Sequence, residues 1–223
     1  MHTCMGSACA RNTIEEMITA YKKAGYAGMA VTEHFIRGNT AVDRSLPWDE
    51  LVTAYAAAYL KGREYAEKED FDLLFGIEEG YGGGKEFLAY GFEPQFVIDR
   101  PFLRNASVDV WAKEIHSVGG FIAYAHPFRD RDYIKDPNTV PDISIVDGVE
   151  AYNFCNKPNE NEKAVNCFKG KTILTAGSDI HSTDFNDSFG IELKERVSTS
   201  SELAKVLLTG DFNIYLGKSG RSY

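Results

Sequence analysis

The sequence predicts an α/β fold in which helices cover a parallel β-sheet. Short apolar segments recur along the chain, amphipathic segments separate them, and no Pro/Ser-rich linker divides residues 1–223. Strands that are buried on both faces have uninterrupted apolar sequences, whereas a covering helix is apolar on one face. About seven such units in a single domain favour a barrel. An open doubly wound sheet is the alternative, although no G-x-G-x-x-G fingerprint supports a dinucleotide-binding fold.

Capping residues and apolar periodicity define the elements in order. Thr13 and Glu16 form a capping box that begins a helix, and Gly25 ends that helix. There follow a strand over 27–32, a helix over 49–70, a strand over 72–77, a glycine-rich loop over 80–84 and a strand over 87–92. Ser107 begins a helix with Trp111 and Ile115 on its apolar face. There follow a strand over 121–125, a loop over 129–141, a strand over 148–153, a helix over 161–169, a strand over 172–176, a helix capped by 199–202 and a strand over 212–216.

Composition limits the classes of partner and compartment. The net charge is −9, which does not favour nucleic-acid polymers or anionic membranes but is compatible with a small phosphorylated substrate at a metal-containing site. No apolar segment reaches the roughly 18 residues of a membrane span, and no leader pattern begins the sequence. Cys4, Cys9, Cys155 and Cys167 match no zinc or redox spacing. A cytoplasmic protein with free thiols is therefore expected.

Histidines and acidic residues follow the ends of the expected strands. They are Glu33 and His34, Glu78 and Glu79, His126, and Asp179 and His181. Because the carboxyl ends of parallel strands face the same way, we expect these side chains to converge, together with His2. Imidazole and carboxylate ligands suit Zn²⁺, Mn²⁺ or Fe²⁺, and the set exceeds the needs of one tetrahedral ion. Two or three ions that activate water and bind a phosphoryl group are therefore predicted.

Six sequence blocks resemble the ordered motifs of the polymerase and histidinol phosphatase (PHP) superfamily. They are His2-Thr3, Thr32-Glu33-His34, Gly76-Ile77-Glu78, the stretch from Ala125 to Arg129, the stretch from Gly148 to Asn153, and the stretch from Gly177 to His181. The resemblance extends from residue 2 to about residue 215. It implies a distorted TIM-like (β/α)7 barrel with a bi- or trinuclear metal centre, in which Mg²⁺ is also possible, and phosphoester hydrolysis.

The resemblance also assigns roles to individual residues. The implied metal ligands are His2, His34, Glu78, His126, Asp179 and His181. Asp179 and His181 are also implied to be catalytic. Arg129 is implied to be catalytic as well, as the cation that binds the substrate phosphate, because its planar donors match phosphate oxygens.

The sequence departs from the family pattern at four places. The family motif D-x-H-x-H precedes the first loop, but here the sequence begins at its last histidine, His2. We therefore expect a truncated first strand and a natural start upstream; the alternative is a chain that lacks one strand and one ligand. Glu33 replaces an aspartate and is expected beside the ligands rather than among them. Asn153 stands where some members have histidine, and Cys9 lies where others have a third early ligand.

The remaining candidates have simpler interpretations. A thiolate at Cys9 could bind a metal, but a small buried cysteine is favoured there and at Cys4. His116 is expected on a solvent-facing edge of its helix, and Glu79 is expected to point away from the ligands.

Three functions are open at this stage. A metal-dependent phosphoesterase acting on a small metabolite is favoured, because Arg129 suits a phosphate. A metal-dependent hydrolase of C–N bonds and a degenerate domain that binds without turnover are the alternatives. The loops over 37–47 and 129–141 are expected to select the substrate.

Overall fold

A six-stranded sheet organises the computed structural model, which describes residues 1–218. The strands pair with their neighbours in chain order from β1 to β6. They are β1 (Gly28–Val31), β2 (Asp72–Gly82), β3 (Lys85–Tyr90), β4 (Phe121–Tyr124), β5 (Gly148–Asn153) and β6 (Ile173–Gly177). A separate antiparallel pair, β7 (Gly190–Leu193) and β8 (Phe212–Tyr215), contacts β6. The strand expected over 212–216 therefore lies outside the main sheet.

Strand β3 makes the sheet mixed rather than parallel. The pairs β1–β2, β4–β5 and β5–β6 are parallel, but β3 runs antiparallel to both β2 and β4. The expectation of an all-parallel sheet is wrong for this strand. Strand β2 continues past the expected end at Ile77 to Gly82, and the chain then turns back at once through Gly83 and Gly84. Both of these glycines have positive φ, which a tight hairpin requires, and a hairpin joins antiparallel strands.

Seven α-helices are present within residues 1–218, most of them where the sequence predicts one. They are α1 (Ile14–Ala24), α2 (Trp48–Tyr55), α3 (Ala57–Lys68), α4 (Pro94–Ile98), α5 (Val108–Ser117), α6 (Pro158–Phe168) and α7 (Ser200–Thr209). Both predicted capping boxes, at Thr13 and Thr199, are confirmed. None of these helices is long and apolar enough to cross a membrane.

The single helix predicted over 49–70 is wrong, because α2 and α3 are separate. They break at Ala56, whose ψ of −3° departs from helical geometry. Helix α3 packs against α1 and β2, whereas α2 packs against α4. Each helix takes the direction in which its own apolar face is buried. Tertiary contacts therefore override the continuous helical pattern of the sequence.

The first residues of the chain lie between β1 and the segment that follows β6. Thr32 N donates to Met1 O at 3.1 Å, and His2 N donates to Ile180 O at 3.1 Å. Within the described residues β1 and β6 do not pair with each other, and a cavity of about 800 Å³ lies between them, lined in part by Leu74. The predicted barrel is therefore confirmed only as a six-stranded mixed α/β sheet.

Buried aromatic side chains connect the sheet to its helices near the ends of β1 and β2. Phe35 packs edge-to-face against both Tyr55 of α2 and Trp111 of α5. The Tyr55 hydroxyl donates to Glu33 O at 2.8 Å and lies 3.2 Å from Gly76 O. This one side chain thus contacts both the backbone that leaves β1 and the backbone of β2.

Candidate metal centre

The β1–β2 pairing continues beyond the end of β1 and brings the first polar residues together. Phe35 N donates to Glu78 O at 2.8 Å, and Glu78 N donates to Glu33 O at 3.2 Å. His34 and Glu78 form an isolated parallel bridge. Side chains that alternate along an extended segment point to opposite faces. His34 and Glu78 therefore face one side together, while Glu33 and Glu79 face elsewhere.

Glu78 lies at the centre of the cluster. Its Oε2 atom is 2.9 Å from His34 Nδ1 and 3.2 Å from His2 Nε2, and its Oε1 atom is 3.2 Å from His126 Nε2. The residue is 2% exposed. A single buried carboxylate thus contacts three imidazoles that come from three separate parts of the chain.

Asp179 and His181 complete the cluster from the segment after β6. Asp179 Oδ1 lies 3.1 Å from His2 Nε2, and His181 Nδ1 lies 2.8 Å from the carbonyl oxygen of Asp179. The His2 ring stacks between those of His34 and His181, with centroids 4.3 and 4.2 Å away. Asp179 and His126 have φ of +51° and +28°, values that non-glycine residues rarely adopt. Such backbone strain is typical of functional sites, where it directs side chains inward.

Burial and mutual contacts set the charges within the cluster. Burial lowers the pKa of His2 to about 3 despite the opposing hydrogen bond with Asp179, so its imidazole is neutral at pH 7. Burial also lowers the pKa of His34, but the charge of Glu78 outweighs it and raises the pKa above its usual value. Burial alone would raise the pKa of Glu78, yet the charge of His34 keeps it well below its usual value. The cluster therefore pairs ionised carboxylates with both neutral and protonated imidazole.

The cluster fits divalent metal ions. Three sets of potential ligand atoms lie within 4.8 Å of one another: His2, His34 and His181; His2, Glu78 and Asp179; and His34, Glu78 and Glu86. His34 Nδ1 and Glu78 Oε2 are buried and close, but neither has a well-aligned hydrogen-bond partner. Unsatisfied buried polar atoms are costly, and an ion that replaces the proton of His34 would satisfy both.

Glu86 is the site residue that the sequence analysis missed. Its Oε1 atom lies 3.2 Å from His34 Nδ1, and its Oε2 atom lies 3.5 Å from His126 Nε2. Glu86 lies within β3 rather than after a strand end, and the antiparallel direction of β3 brings it to the cluster. An acidic residue within the otherwise apolar segment after Lys85 was the available signal.

Glu33 and Glu79 hold the backbone around the cluster, as the sequence predicts for residues beside the ligands. Glu33 accepts hydrogen bonds from Thr3 N at 3.0 Å and Ser7 Oγ at 2.6 Å. Ser7 Oγ in turn lies 3.0 Å from His2 Nδ1 and so orients that ring. Glu79 accepts from the backbone N–H groups of Ile36, Arg37 and Gly80, each within 2.9 Å.

Arg129 binds the oxygen of Asp179 that does not contact His2. Its Nη2 atom donates to Asp179 Oδ2 and to Asn153 Oδ1, the latter at 2.9 Å, and its Nε atom donates to Asn156 Oδ1 at 2.9 Å. Asn153 therefore contacts the guanidinium rather than the imidazole cluster. Tyr133, which is 59% exposed, lies near Arg129, whose charge opposes the rise that burial causes in the pKa of the Tyr133 hydroxyl.

The cysteines and the remaining histidine differ in their relation to the site. Cys9 and Cys4 are exposed, so the expectation of small buried cysteines is wrong. Partial burial raises the pKa of the Cys9 thiol, but hydrogen bonds with His181 and His34 outweigh it and lower the pKa to about 6. His116 lies on α5, half exposed, where its Nε2 atom is 3.0 Å from Asp147 Oδ2, so its predicted place outside the cluster is confirmed.

Solved structures share this arrangement of strands and helices. A candidate metal-dependent phosphoesterase from Bifidobacterium adolescentis aligns with a TM-score of 0.60 and 14% identity over 92% of this chain and 93% of that chain. A two-domain protein from Bacteroides vulgatus that contains a predicted PHP-like metal-dependent phosphoesterase aligns with a TM-score of 0.66 and 17% identity. That alignment covers 97% of this chain and 63% of the Bacteroides protein. No protein-family model and no curated protein matches the chain. At these identities, the alignments show that the chain shares its fold with the two structures.

Proposed function

We propose that this protein is a metal-dependent phosphoesterase of PHP type that hydrolyses a small phosphorylated metabolite. The observation that carries the proposal is the position of Glu78, whose two carboxylate oxygens face His2 and His34 on one side and His126 on the other. Since imidazoles lie near both of its oxygens, this carboxylate could serve more than one ion if two were bound. The solved structures that share the fold support this class of chemistry.

The residues divide naturally between ions. His2, Glu78 and Asp179 would hold one ion, and His34, His126, Glu86 and His181 offer donors for a second or a third. Imidazole and carboxylate donors suit Zn²⁺, Mn²⁺ or Fe²⁺, and Mg²⁺ where carboxylates predominate. Bound divalent ions supply Lewis acidity that activates water near neutral pH and neutralises charge on a phosphoryl group.

The side chains at the rim orient the substrate and manage protons. His181 is partly exposed, and its Nδ1–H donates to the Asp179 carbonyl, so that in the neutral ring Nε2 is free to accept a proton or to bind an ion. Asp179 Oδ1 lies beside His2 Nε2. In this proposal, Asp179 acts in catalysis by offering that oxygen to an ion held together with His2. Arg129 uses Nε and Nη2 for its contacts with Asp179, Asn153 and Asn156, and its other N–H donors could bind a phosphate oxygen.

The partner and the compartment follow from charge and cysteine usage. A net charge of −9 favours a small phosphorylated substrate over a nucleic-acid polymer. We place the protein in the reducing cytosol, where free thiols such as these four persist.

Phosphate release decides between this function and its alternatives. We expect the purified protein to hydrolyse p-nitrophenyl phosphate with added Mn²⁺ or Zn²⁺, and to lose this activity with chelator and in Asp179→Ala. The matched control is Asp211→Ala, which removes an exposed carboxylate paired with Lys194. A panel of phosphorylated metabolites would then identify the substrate.

Other outcomes would contradict the proposal. Turnover of amides or deaminase substrates without phosphate release would indicate a C–N hydrolase. Binding of phosphorylated ligands by the fully metal-loaded protein without any turnover would indicate a degenerate domain.

A further inference from the structure

Three oxygen atoms from three side chains converge on the guanidinium of Arg129. They are Asp179 Oδ2, Asn153 Oδ1 and Asn156 Oδ1, and the two amide oxygens each lie 2.9 Å from a guanidinium nitrogen. Arg129 is only 7% exposed, and Asn153 and Asn156 are also buried. The cation therefore occupies a pocket lined by oxygen atoms immediately behind the imidazole cluster.

Contacts that do not involve Arg129 hold the two asparagine side chains in place. Asn153 Oδ1 also accepts from Cys155 N at 2.9 Å, and Asn153 Nδ2 donates to Glu150 Oε2 at 2.8 Å. Asn156 Nδ2 donates to Asn161 Oδ1 at 2.9 Å. A pocket oriented by its own hydrogen-bond network persists when its cation is exchanged.

Carboxylate and amide oxygens are ligands that hard divalent cations also accept. Here the guanidinium occupies the position that such a cation would take. The two oxygens of Asp179 therefore have different partners. Oδ2 is bound to Arg129, whereas Oδ1 lies 3.1 Å from His2 Nε2. Only one carboxylate oxygen therefore remains for an ion on the His2 side.

We propose that Arg129 is a positioning residue whose guanidinium is the resident cation of this oxygen-lined pocket, so that divalent ions bind only on the imidazole side of Asp179. The inference rests on the proposed function in taking Asp179 to be a metal ligand. In this arrangement Arg129 Nη2 binds Asp179 and not the substrate phosphate. A buried carboxylate that loses its cation partner is strongly unfavourable, so a neutral replacement of Arg129 should recruit another cation.

The test counts Mn²⁺ ions bound by the full-length, metal-free chain. Isothermal titration and elemental analysis after gel filtration would compare the unaltered protein with Arg129→Met and Arg129→Lys. We expect Arg129→Met to bind about one additional Mn²⁺ per chain and to gain more thermal stability from Mn²⁺ than the unaltered protein. Arg129→Lys retains a cation and should keep the original ion number. The control Arg131→Met removes a neighbouring arginine, which pairs with Glu160, and should also leave the number unchanged.

A second variant keeps the test decisive if Arg129→Met does not fold. Asn153→Asp adds a carboxylate to the pocket but retains Arg129, so the guanidinium should still exclude Mn²⁺ and the ion number should not rise. An additional ion in Asn153→Asp would overturn the inference. So would an Arg129→Met protein with an unchanged or reduced ion number.

The competing roles of Arg129 give different results. If Arg129 served mainly to bind phosphate, Arg129→Met would weaken binding of inorganic phosphate and leave the Mn²⁺ count unchanged. Absence of Mn²⁺ binding and of phosphatase activity in the unaltered protein would contradict the proposed function. Even then, the inference would be supported if Arg129→Met alone bound an Mn²⁺ ion. It would be overturned if neither protein bound one.

Discussion

The Oε2 atom of Glu78 lies 2.9 Å from His34 Nδ1, and the backbones of the same two residues form a parallel bridge. Strand pairing thus continues beyond β1 and delivers an acid and a base to one point. Because both side chains are buried, their contact is preserved from solvent screening.

Replacement of Glu78 by Gln should abolish metal binding at the centre of the cluster. The change removes the charge that faces His2, His34 and His126, and amides are poor bridging ligands. We expect Mn²⁺ affinity and kcat/KM for p-nitrophenyl phosphate to fall about 100-fold or more. The control Glu64→Gln alters an exposed carboxylate on α3 that pairs with Lys68 and should change neither. Retention of full Mn²⁺ affinity in Glu78→Gln would refute the assignment.

Replacement of Glu86 by Gln tests the residue that only the structure identified. The amide keeps the side-chain volume but weakens the contacts with His34 and His126. We expect Mn²⁺ affinity to fall about tenfold, less than for Glu78, because Glu86 contacts two imidazoles at longer distances. Titration of the metal-free protein measures this, and an effect no larger than that of Glu64→Gln would contradict it.

The thiol of Cys9 should be unusually reactive in the metal-free protein. With a pKa of about 6, it is mostly thiolate at pH 7, and its rate of alkylation should rise as the pH increases from 5 to 7 and then level off. The Cys155 thiol is exposed but donates to Asp179 O at 3.2 Å, and desolvation together with the charge of Asp179 raises its pKa to about 12, so it should stay slow over the same range. Iodoacetamide labelling followed by peptide mass spectrometry measures both rates. Equal labelling of Cys9 and Cys155 at pH 7 would contradict the prediction.

Replacement of Tyr55 by Phe should destabilise the protein without a change in charge. It removes the buried hydroxyl that contacts Glu33 O and Gly76 O and leaves these carbonyls without that partner. We expect the free energy of unfolding to fall by about 1–3 kcal/mol, as measured by urea denaturation. The control is Tyr65→Phe, which removes an exposed hydroxyl that bonds Thr19 and should cost less than about 0.5 kcal/mol. Similar losses in the two variants would contradict the structural role of Tyr55.

Replacement of Gly177 by Ala should disturb the pocket around Asn153. A Cβ atom at Gly177 would overlap Glu150 Oε1, and Glu150 in turn holds Asn153 Nδ2. We expect a loss of about 1–3 kcal/mol in the free energy of unfolding, by the same denaturation measurement. In the control, Gly190→Ala, the nearest atom to the new Cβ belongs to Tyr26 at 3.4 Å, an ordinary contact. A Gly177→Ala protein as stable as the control would show that Glu150 moves freely.

Local patterns in the sequence determined the helix starts at Thr13 and Thr199 and the positions of His34, Glu78, His126 and Asp179 after or near the expected strand ends. These features follow from caps, apolar periodicity and strand direction, which neighbouring residues encode. The same local patterns failed over 49–70, because α2 and α3 bury their faces against different partners.

Only the tertiary structure decided which polar groups meet. Glu86 reaches His34 because a glycine hairpin reverses the chain between β2 and β3, and no spacing rule marks that residue as a ligand. Arg129 has the expected position in the chain, but its donors bind Asp179 and two asparagines that come from later segments. Contacts between residues distant in sequence depend on how the whole sheet curls and pairs, and that information is not present in any local segment.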